Sequence, residues 1–301
     1  MNIIISGGRG FIGTQMVPAL IAAGHVVTVW SRTPQEEKRA GVGAYYWNPV
    51  EGPPQPESLE KIDVVIHMAG ESVAQKWNPE VKARIRESRV IGTRNLVAGI
   101  EKMLDRPKAL VCSSATGFYG DRDDEVLTEE SAPGSGFLSD VCQEWEKEAD
   151  QAAQLGLRVV KIRTGMVVGA GGGAVNRLIP TFKAKMGGKL GSGKQWMPWI
   201  HMRDIVGIYQ FAAERDVFGV LNGTAPNPVR NEEFTEAFGS ALEEPWKLQV
   251  PEFALKMMFG EMADVVLSSQ RVLPEATLAA GYQFRFTDIH AALNDVLKAA
   301  A

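Results

Sequence analysis

The chain has 301 residues, 45% hydrophobic and 23% charged, a make-up that fits a globular protein of one large α/β domain or a nucleotide domain with a smaller companion. Its formal charge of −4 argues against nucleic acid or an anionic membrane as partner, and no apolar run approaches the ~20 residues of a bilayer-spanning helix. Cys112 and Cys142 are too few for a disulfide framework or a zinc site. The first strand begins too early to leave room for a signal peptide, so a cytoplasmic protein with reduced thiols and no metal is expected.

The first stretch, Asn2 to Gly13, is the most informative. A β-branched apolar run, Ile3-Ile4-Ile5, is followed at once by Gly7, Gly8, Gly10 and Gly13, and then by an amphipathic segment through Ala23. Strand, tight turn and helix are predicted. Gly8, Gly10 and Gly13 fit G-x-G-x-x-G, and Gly7, Gly10 and Gly13 fit G-x-x-G-x-x-G. Glycines at such positions turn the chain, admit a pyrophosphate to the backbone N–H groups and allow close helix–strand packing. The helix N-terminus adds a partial positive charge where phosphates would sit.

A second strand, His25 to Trp30, ends at Ser31-Arg32. Folds that bind NAD place an acid here for the adenosine ribose, but this sequence has none before Glu36. Ser31 and Arg32 suit a 2′-phosphate instead, and NADP(H) is the expected cofactor. The alternative for Arg32 is a solvated turn residue. A strand around Ala44 to Trp47, a Pro-rich surface loop from Pro49 to Pro56 and a buried strand from Ile62 to His67 follow. That strand ends in Met68-Ala69-Gly70, small enough to let a flat ligand lie across the sheet edge. His67 itself reads as a packed or hydrogen-bonded residue.

A long helix is expected from Pro79 to Lys102, its basic residues mostly solvated, with Arg89 singled out because the helix passes beside the phosphates. Lys108 to Ser113 reads as a strand running into Ser114-Ala115-Thr116-Gly117-Phe118-Tyr119-Gly120, hydroxyl-bearing residues placed to polarise a carbonyl or alcohol. The same hydroxyls could merely cap the loop. Apolar residues at Phe137, Leu138, Val141, Cys142, Trp145, Ala149 and Ala152 mark a helix over Gly136 to Leu155, and Leu157 to Arg163 marks a strand. Beyond the Gly169 to Gly173 run the alternation loosens. Gly187 to Gln195 reads as loop, Trp199 to Asp204 as the start of a helix and Gly219 to Gly223 as a late strand. Asn231 to Ala301 reads as short helices, with the apolar helix Phe253 to Phe259 serving as core or interface.

Gly7 to Gly13, His67 to Gly70, Ser113 to Gly120, Arg163 to Gly165 and Trp199 to Asp204 together resemble the extended branch of the short-chain dehydrogenase/reductase superfamily, the NAD(P)-dependent epimerase/dehydratase group. Within it the chain resembles the epimerase family proteins, also described as nucleoside-diphosphate-sugar epimerases. The resemblance implies a Rossmann-type doubly wound parallel sheet, mainly over residues 1–170 of a 1–240 nucleotide-binding unit. A smaller mixed α/β region at 248–296, a domain of unknown function in that group, would cap it. It also implies cofactor contacts from Gly7, Gly10, Phe11, Ile12, Gly13, Ser31, Arg32, Met68, Ala69, Gly70, Arg89 and Val167, and a small-molecule substrate, a nucleotide sugar or a carbonyl compound.

The chain departs from that pattern at one place. Active members carry Tyr-x-x-x-Lys, whose lysine lowers the tyrosine pKa. None of Tyr45, Tyr46, Tyr119, Tyr209 and Tyr282 has a lysine four residues on, and the matching positions are Leu138 and Cys142. Two readings follow: an atypical NADP(H)-dependent oxidoreductase or epimerase-like enzyme using Ser114, Thr116 or Tyr119, or a non-catalytic NADP(H) sensor that contacts a partner.

Overall fold

The computed structural model describes residues 1–244 and 248–298; residues 245–247 and 299–301 of the expected C-terminal run lie outside it. Seven parallel strands form one sheet: β1 (Asn2–Ser6), β2 (Val26–Ser31), β3 (Gly43–Tyr46), β4 (Val64–His67), β5 (Ala109–Ala115), β6 (Arg158–Thr164) and β7 (Gly219–Gly223). Their order is β7-β6-β5-β4-β1-β2-β3. The chain steps outward from β1 on one side and returns to the other through β4, so the strand order reverses between β1 and β4. Ligands of open α/β sheets bind beyond the carboxyl ends of the strands at such a switch point.

Helices α1 (Gly13–Ala22), α2 (Pro79–Glu101), α3 (Phe137–Gln154) and α4 (Met202–Glu214) flank the sheet. Each face has its own core. Ile3, Ile5, Val111 and Ile162 pack with Met16 and Leu20 of α1 and Ile208 of α4. Ile4, Val65 and Leu110 pack with Leu96 of α2 and Trp145 of α3. Burial on both faces is why β1 and β4 read as continuous apolar runs rather than alternating ones. Asn78 caps α2 by accepting from Val81 N at 2.8 Å, and Pro79 occupies the first helical position.

The sheet is not finished by residue 170. Its last strand, β7, comes from the C-terminal half, and that half carries a separate core in which Trp199, Phe234, Phe238, Leu293 and Val296 meet. Helices α5 (Asn231–Ala241), α6 (Glu252–Phe259) and α7 (Ile289–Lys298) belong to this region. Two expectations are corrected here. The Gly187–Gln195 loop contains a strand, Gly188–Leu190, paired in parallel with Leu248–Val250. Trp199–His201 is a strand rather than a helix start, paired with Met166–Val168, and α4 begins only at Met202. Asp204 anchors the C-terminal segment to α4: its buried carboxylate accepts from Arg285 N at 2.8 Å and Phe286 N at 3.0 Å.

Candidate functional site

The glycine turn between β1 and α1 is held by close packing. Gly7 has φ +75°, a conformation that favours glycine, and a Cβ there would lie 2.9 Å from the Met68 carbonyl carbon. A Cβ on Gly13 would overlap the Gly7 carbonyl oxygen and come within 2.6 Å of Gly8 Cα. No side chain caps the N-terminus of α1 at Ile12, so its leading N–H groups are presented as an anion site would need them. Phe11 turns the other way. A Cβ on Gly172 or Gly173 would meet its ring at 2.6 or 2.7 Å, so these two glycines give the ring its room.

Ser6, the last residue of β1, joins this turn to the loop after β4. Its Oγ accepts from Met68 N and Ala69 N, both at 3.1 Å, and meets His67 Nδ1 at 2.7 Å. With both lone pairs in use, the hydroxyl proton must go to Nδ1. The imidazole is therefore neutral, with its own proton on Nε2, which is buried without a partner among the described residues. Burial pushes the His67 pKa down to about 4. His67 is thus a packed, hydrogen-bonded residue.

A cleft of about 740 Å³ opens over β1, β2 and β4. Gly7, Gly10, Ser31, Arg32, Ala69 and Gly70 line it, along with Arg9, Thr33, Trp47, Asn48 and Arg84 that sequence reasoning passed over. Arg9 matters most. It donates to Thr33 Oγ1 and pairs with Glu36 at 2.8 Å, so the nearest acid beyond β2 is already held by a cation; the bond from Arg9 keeps the Glu36 carboxyl below its usual range. The signal was available in sequence, as the one charged residue inside Gly7 to Gly13. Arg89 stands behind the Gly70 loop. Its Nη1 donates to the Glu71 and Ile85 carbonyls at 3.0 Å, its guanidinium carbon lies 3.2 Å from where a Gly70 Cβ would be, and burial lowers its pKa. Val167 sits opposite Ile200 in the two-stranded pair.

At the carboxyl end of β5 the expected hydroxyls are not displayed to a ligand alike. Ser114, 3% exposed, donates to Glu146 Oε1 at 2.6 Å. Glu146 is doubly held by Arg163, Nε to Oε1 at 2.8 Å and Nη2 to Oε2 at 2.9 Å. Arg163 Nη1 also donates to Tyr119 Oη at 3.1 Å, and Tyr119 donates to Asn222 Oδ1 at 2.7 Å. The guanidinium carbon stacks 3.4 Å from the Phe118 ring centre. Burial opposes the charge of Arg163, but the bonds and charge of Glu146 together with Tyr119 outweigh it and its pKa rises. Tyr119 is wholly buried, and burial pushes its phenol up to about 12 despite Arg163. Thr116 opens the Thr116–Tyr119 turn at 6% exposure. On α3, Leu138 and Cys142 face this turn: a Gly117 Cβ would lie 3.3 Å from Leu138 Cβ and 3.9 Å from Cys142 Sγ. Burial pushes the Cys142 thiol up to about 11. Neither residue is a proton donor near neutral pH. Among the described residues no cluster of three or more His, Cys, Asp or Glu is arranged to hold a metal, and no helix is long and apolar enough to cross a membrane.

The signature of the NAD dependent epimerase/dehydratase family matches residues 3–223. The chain belongs to that family. A domain of unknown function found in the family matches residues 250–296. An epimerase family protein of Mycobacterium bovis is 38% identical over 295 residues, covering 97% of this chain and 96% of its own length. The crystal structure of human epimerase family protein SDR39U1 with NADPH superposes with a TM-score of 0.87 at 34% identity, covering 99% of both chains. The UDP-glucose 4-epimerase of Thermotoga maritima, solved with UDP-glucose, shares the fold at TM-score 0.79 and 20% identity, covering 99% of this chain and 98% of that one.

Proposed function

We propose that this chain binds NADP(H) and acts in the cytoplasm as an atypical oxidoreductase or epimerase-like enzyme on a small molecule bearing a carbonyl or alcohol. The observation that carries the reading is the end of β2: Ser31 and Arg32 line the cleft while the nearest acid, Glu36, is tied to Arg9. A 2′-phosphate is favoured there, and no free carboxylate is left at the strand end to accept a ribose diol. The NADPH of the human relative supports the same choice.

The residues fit the group. Gly10 leaves room for a pyrophosphate in the turn that Gly7 and Gly13 hold tight, and the N–H groups of Phe11, Ile12 and Gly13 would hold its oxygens. Ala69 and Gly70 line the opposite wall, propped from behind by Arg89, and Met68 and Val167, which do not line the cleft itself, would contact the cofactor beyond it. When bound, NADPH supplies a hydride to an electrophilic carbon. Leu138 and Cys142 exclude water from the floor and move no proton. The Ser114 proton is committed to Glu146, and Tyr119 is too weak an acid, so Thr116 remains as the hydroxyl able to hydrogen-bond a substrate oxygen. The proton for that oxygen then comes from water or from the substrate itself, and turnover is slow. The same geometry supports a second reading, a non-catalytic NADP(H) sensor.

Thermal unfolding tests cofactor binding: NADPH at a hundred-fold excess over its dissociation constant adds about 2.7 kcal/mol, and the melting temperature must rise more with NADPH than with equal NADH. NADPH oxidation against carbonyl compounds and nucleotide sugars then separates enzyme from sensor, with Ser114→Ala, Thr116→Ala and Tyr119→Phe alongside. Tight binding without turnover on any substrate selects the sensor.

A further inference from the structure

The cations of helix α2 are Lys82, Arg84, Arg86, Arg89 and Arg94. Lys82 pairs with Glu261 at 2.6 Å, Arg86 with Glu144 at 2.8 Å and Arg94 with Glu148 at 2.6 Å. Arg89 donates to two carbonyls behind the Gly70 loop. Arg84 differs from all of these. It makes no hydrogen bond or ion pair among the described residues, and it is the one that lines the cofactor cleft, exposed.

The surroundings of Arg84 form a slot. Arg84, Ser88 and Gly92 are spaced four apart and share one face of α2. At the inner end the helix meets the loop after β3: a Cβ on Gly92 would lie 2.9 Å from Pro49 Cβ, and Asn95 Nδ2 donates to the Pro49 carbonyl at 2.7 Å. One turn out, Ser88 Oγ accepts from Glu71 N at 2.9 Å, which ties the helix to the loop after β4. Arg84 stands a further turn out, at the mouth, and Asn48, Pro49 and Val50 supply the other wall. Tyr46 pairs in register with Ser31, so this wall continues directly beside Arg32. With the 2′-phosphate at Ser31 and Arg32, the group that reaches the slot is the adenine on the same ribose.

A guanidinium is flat, weakly hydrated and stacks on aromatic faces. A phosphate drawn to Arg84 would also meet the Glu87 carboxylate, which lines the cleft three residues on along the same helix. An uncharged base meets no such repulsion.

We propose that Arg84 stacks on the outer face of the adenine and closes the slot over it, serving NADPH and NADH alike. The proposal rests on the NADP(H) reading of the cleft, in which Arg32 remains the residue that selects the 2′-phosphate.

The test titrates the full-length wild type, Arg84→Ala, Arg84→Lys and Arg84→Tyr with NADPH, NADH and 2′,5′-ADP. Arg84→Ala should weaken all three by a common factor of about five to ten. Arg84→Tyr should recover most of that loss, because a phenol ring stacks without charge, and Arg84→Lys should not, because an ammonium is a compact point charge. Arg84 is exposed, so the variants keep the fold, and circular dichroism should be unchanged. A loss confined to NADPH and 2′,5′-ADP, or recovery by lysine and not by tyrosine, makes Arg84 a phosphate ligand and overturns the proposal. So does unaltered affinity for all three probes in Arg84→Ala. Equal wild-type affinity for NADPH and NADH, with both weakened in Arg84→Ala, defeats the 2′-phosphate assignment and leaves the adenine slot standing. A wild type that binds none of the three defeats both.

Discussion

Replacing Glu146 with alanine should destabilise the protein by about 4–6 kcal/mol. The carboxylate accepts three bonds, from Ser114 Oγ, Arg163 Nε and Arg163 Nη2, at 2.6, 2.8 and 2.9 Å. Both charged side chains are almost fully buried, at 5% and 7% exposure. Removing one partner of such a pair leaves an uncompensated buried charge, which costs about 3–5 kcal/mol. The stranded Ser114 hydroxyl adds about 1 kcal/mol. Arg163 would keep only Tyr119 Oη and the Glu129 carbonyl, at 3.1 and 3.2 Å. Urea unfolding followed by the fluorescence of the adjacent Trp145 reads the change as a shift of midpoint at constant slope. The double variant Glu146→Leu with Arg163→Met should recover much of the loss, because a buried ion pair gains little over apolar residues of similar volume. A loss below about 1 kcal/mol in Glu146→Ala would refute the reasoning, since that is what a solvent-screened pair is worth.

Three further outcomes are expected. Tyr119→Phe should cost about 1–3 kcal/mol of stability, because Asn222 Oδ1 loses its donor inside the protein, while NADPH affinity stays within twofold by titration; a large loss of affinity would put the phenol at the cofactor. Gly13→Ala should leave far-UV circular dichroism native and abolish NADPH binding, because its Cβ must push against the Gly7 carbonyl and the Gly8 backbone; retained binding would contradict the turn geometry. His67 is neutral when folded, with a pKa near 4 against an unfolded value near 6.5. Between those two values the unfolded chain binds the extra proton, so stability falls as the pH drops, by up to about 1.4 kcal/mol per unit from this group. Denaturation at a series of pH values should show that slope, and His67→Gln should flatten it.

Much of this was legible in the chain because local pattern and global fold agree where a strand is buried on both faces. Ile3-Ile4-Ile5 and Val64-Val65-Ile66 announce the central strands, and Gly7 to Gly13 the turn between β1 and α1. The short strands Gly188–Leu190 and Trp199–His201 were hidden, since each is three residues long and exists only through a partner far along the chain. The first sits among glycines that read as turn. Periodicity found the apolar stripe of α3 but passed over Glu146, four residues beyond Cys142 on the same stripe. An acid there, matched by Arg163 in a buried strand, is the sequence trace of the ion pair. The exposure of α6 was out of reach, because composition records that Phe253, Met257 and Met258 are apolar and only packing records that nothing covers them.

Calorimetric titration of the wild-type chain and Arg32→Ala with NADPH and NADH tests the central claim most directly. A charge-assisted contact to the 2′-phosphate is worth about 1.5–3 kcal/mol, or roughly ten- to hundred-fold in affinity. The wild type should prefer NADPH by at least that factor, and Arg32→Ala should lose most of the preference with NADH binding unchanged. Equal affinity for the two cofactors, or a preference that survives the loss of Arg32, would contradict the assignment.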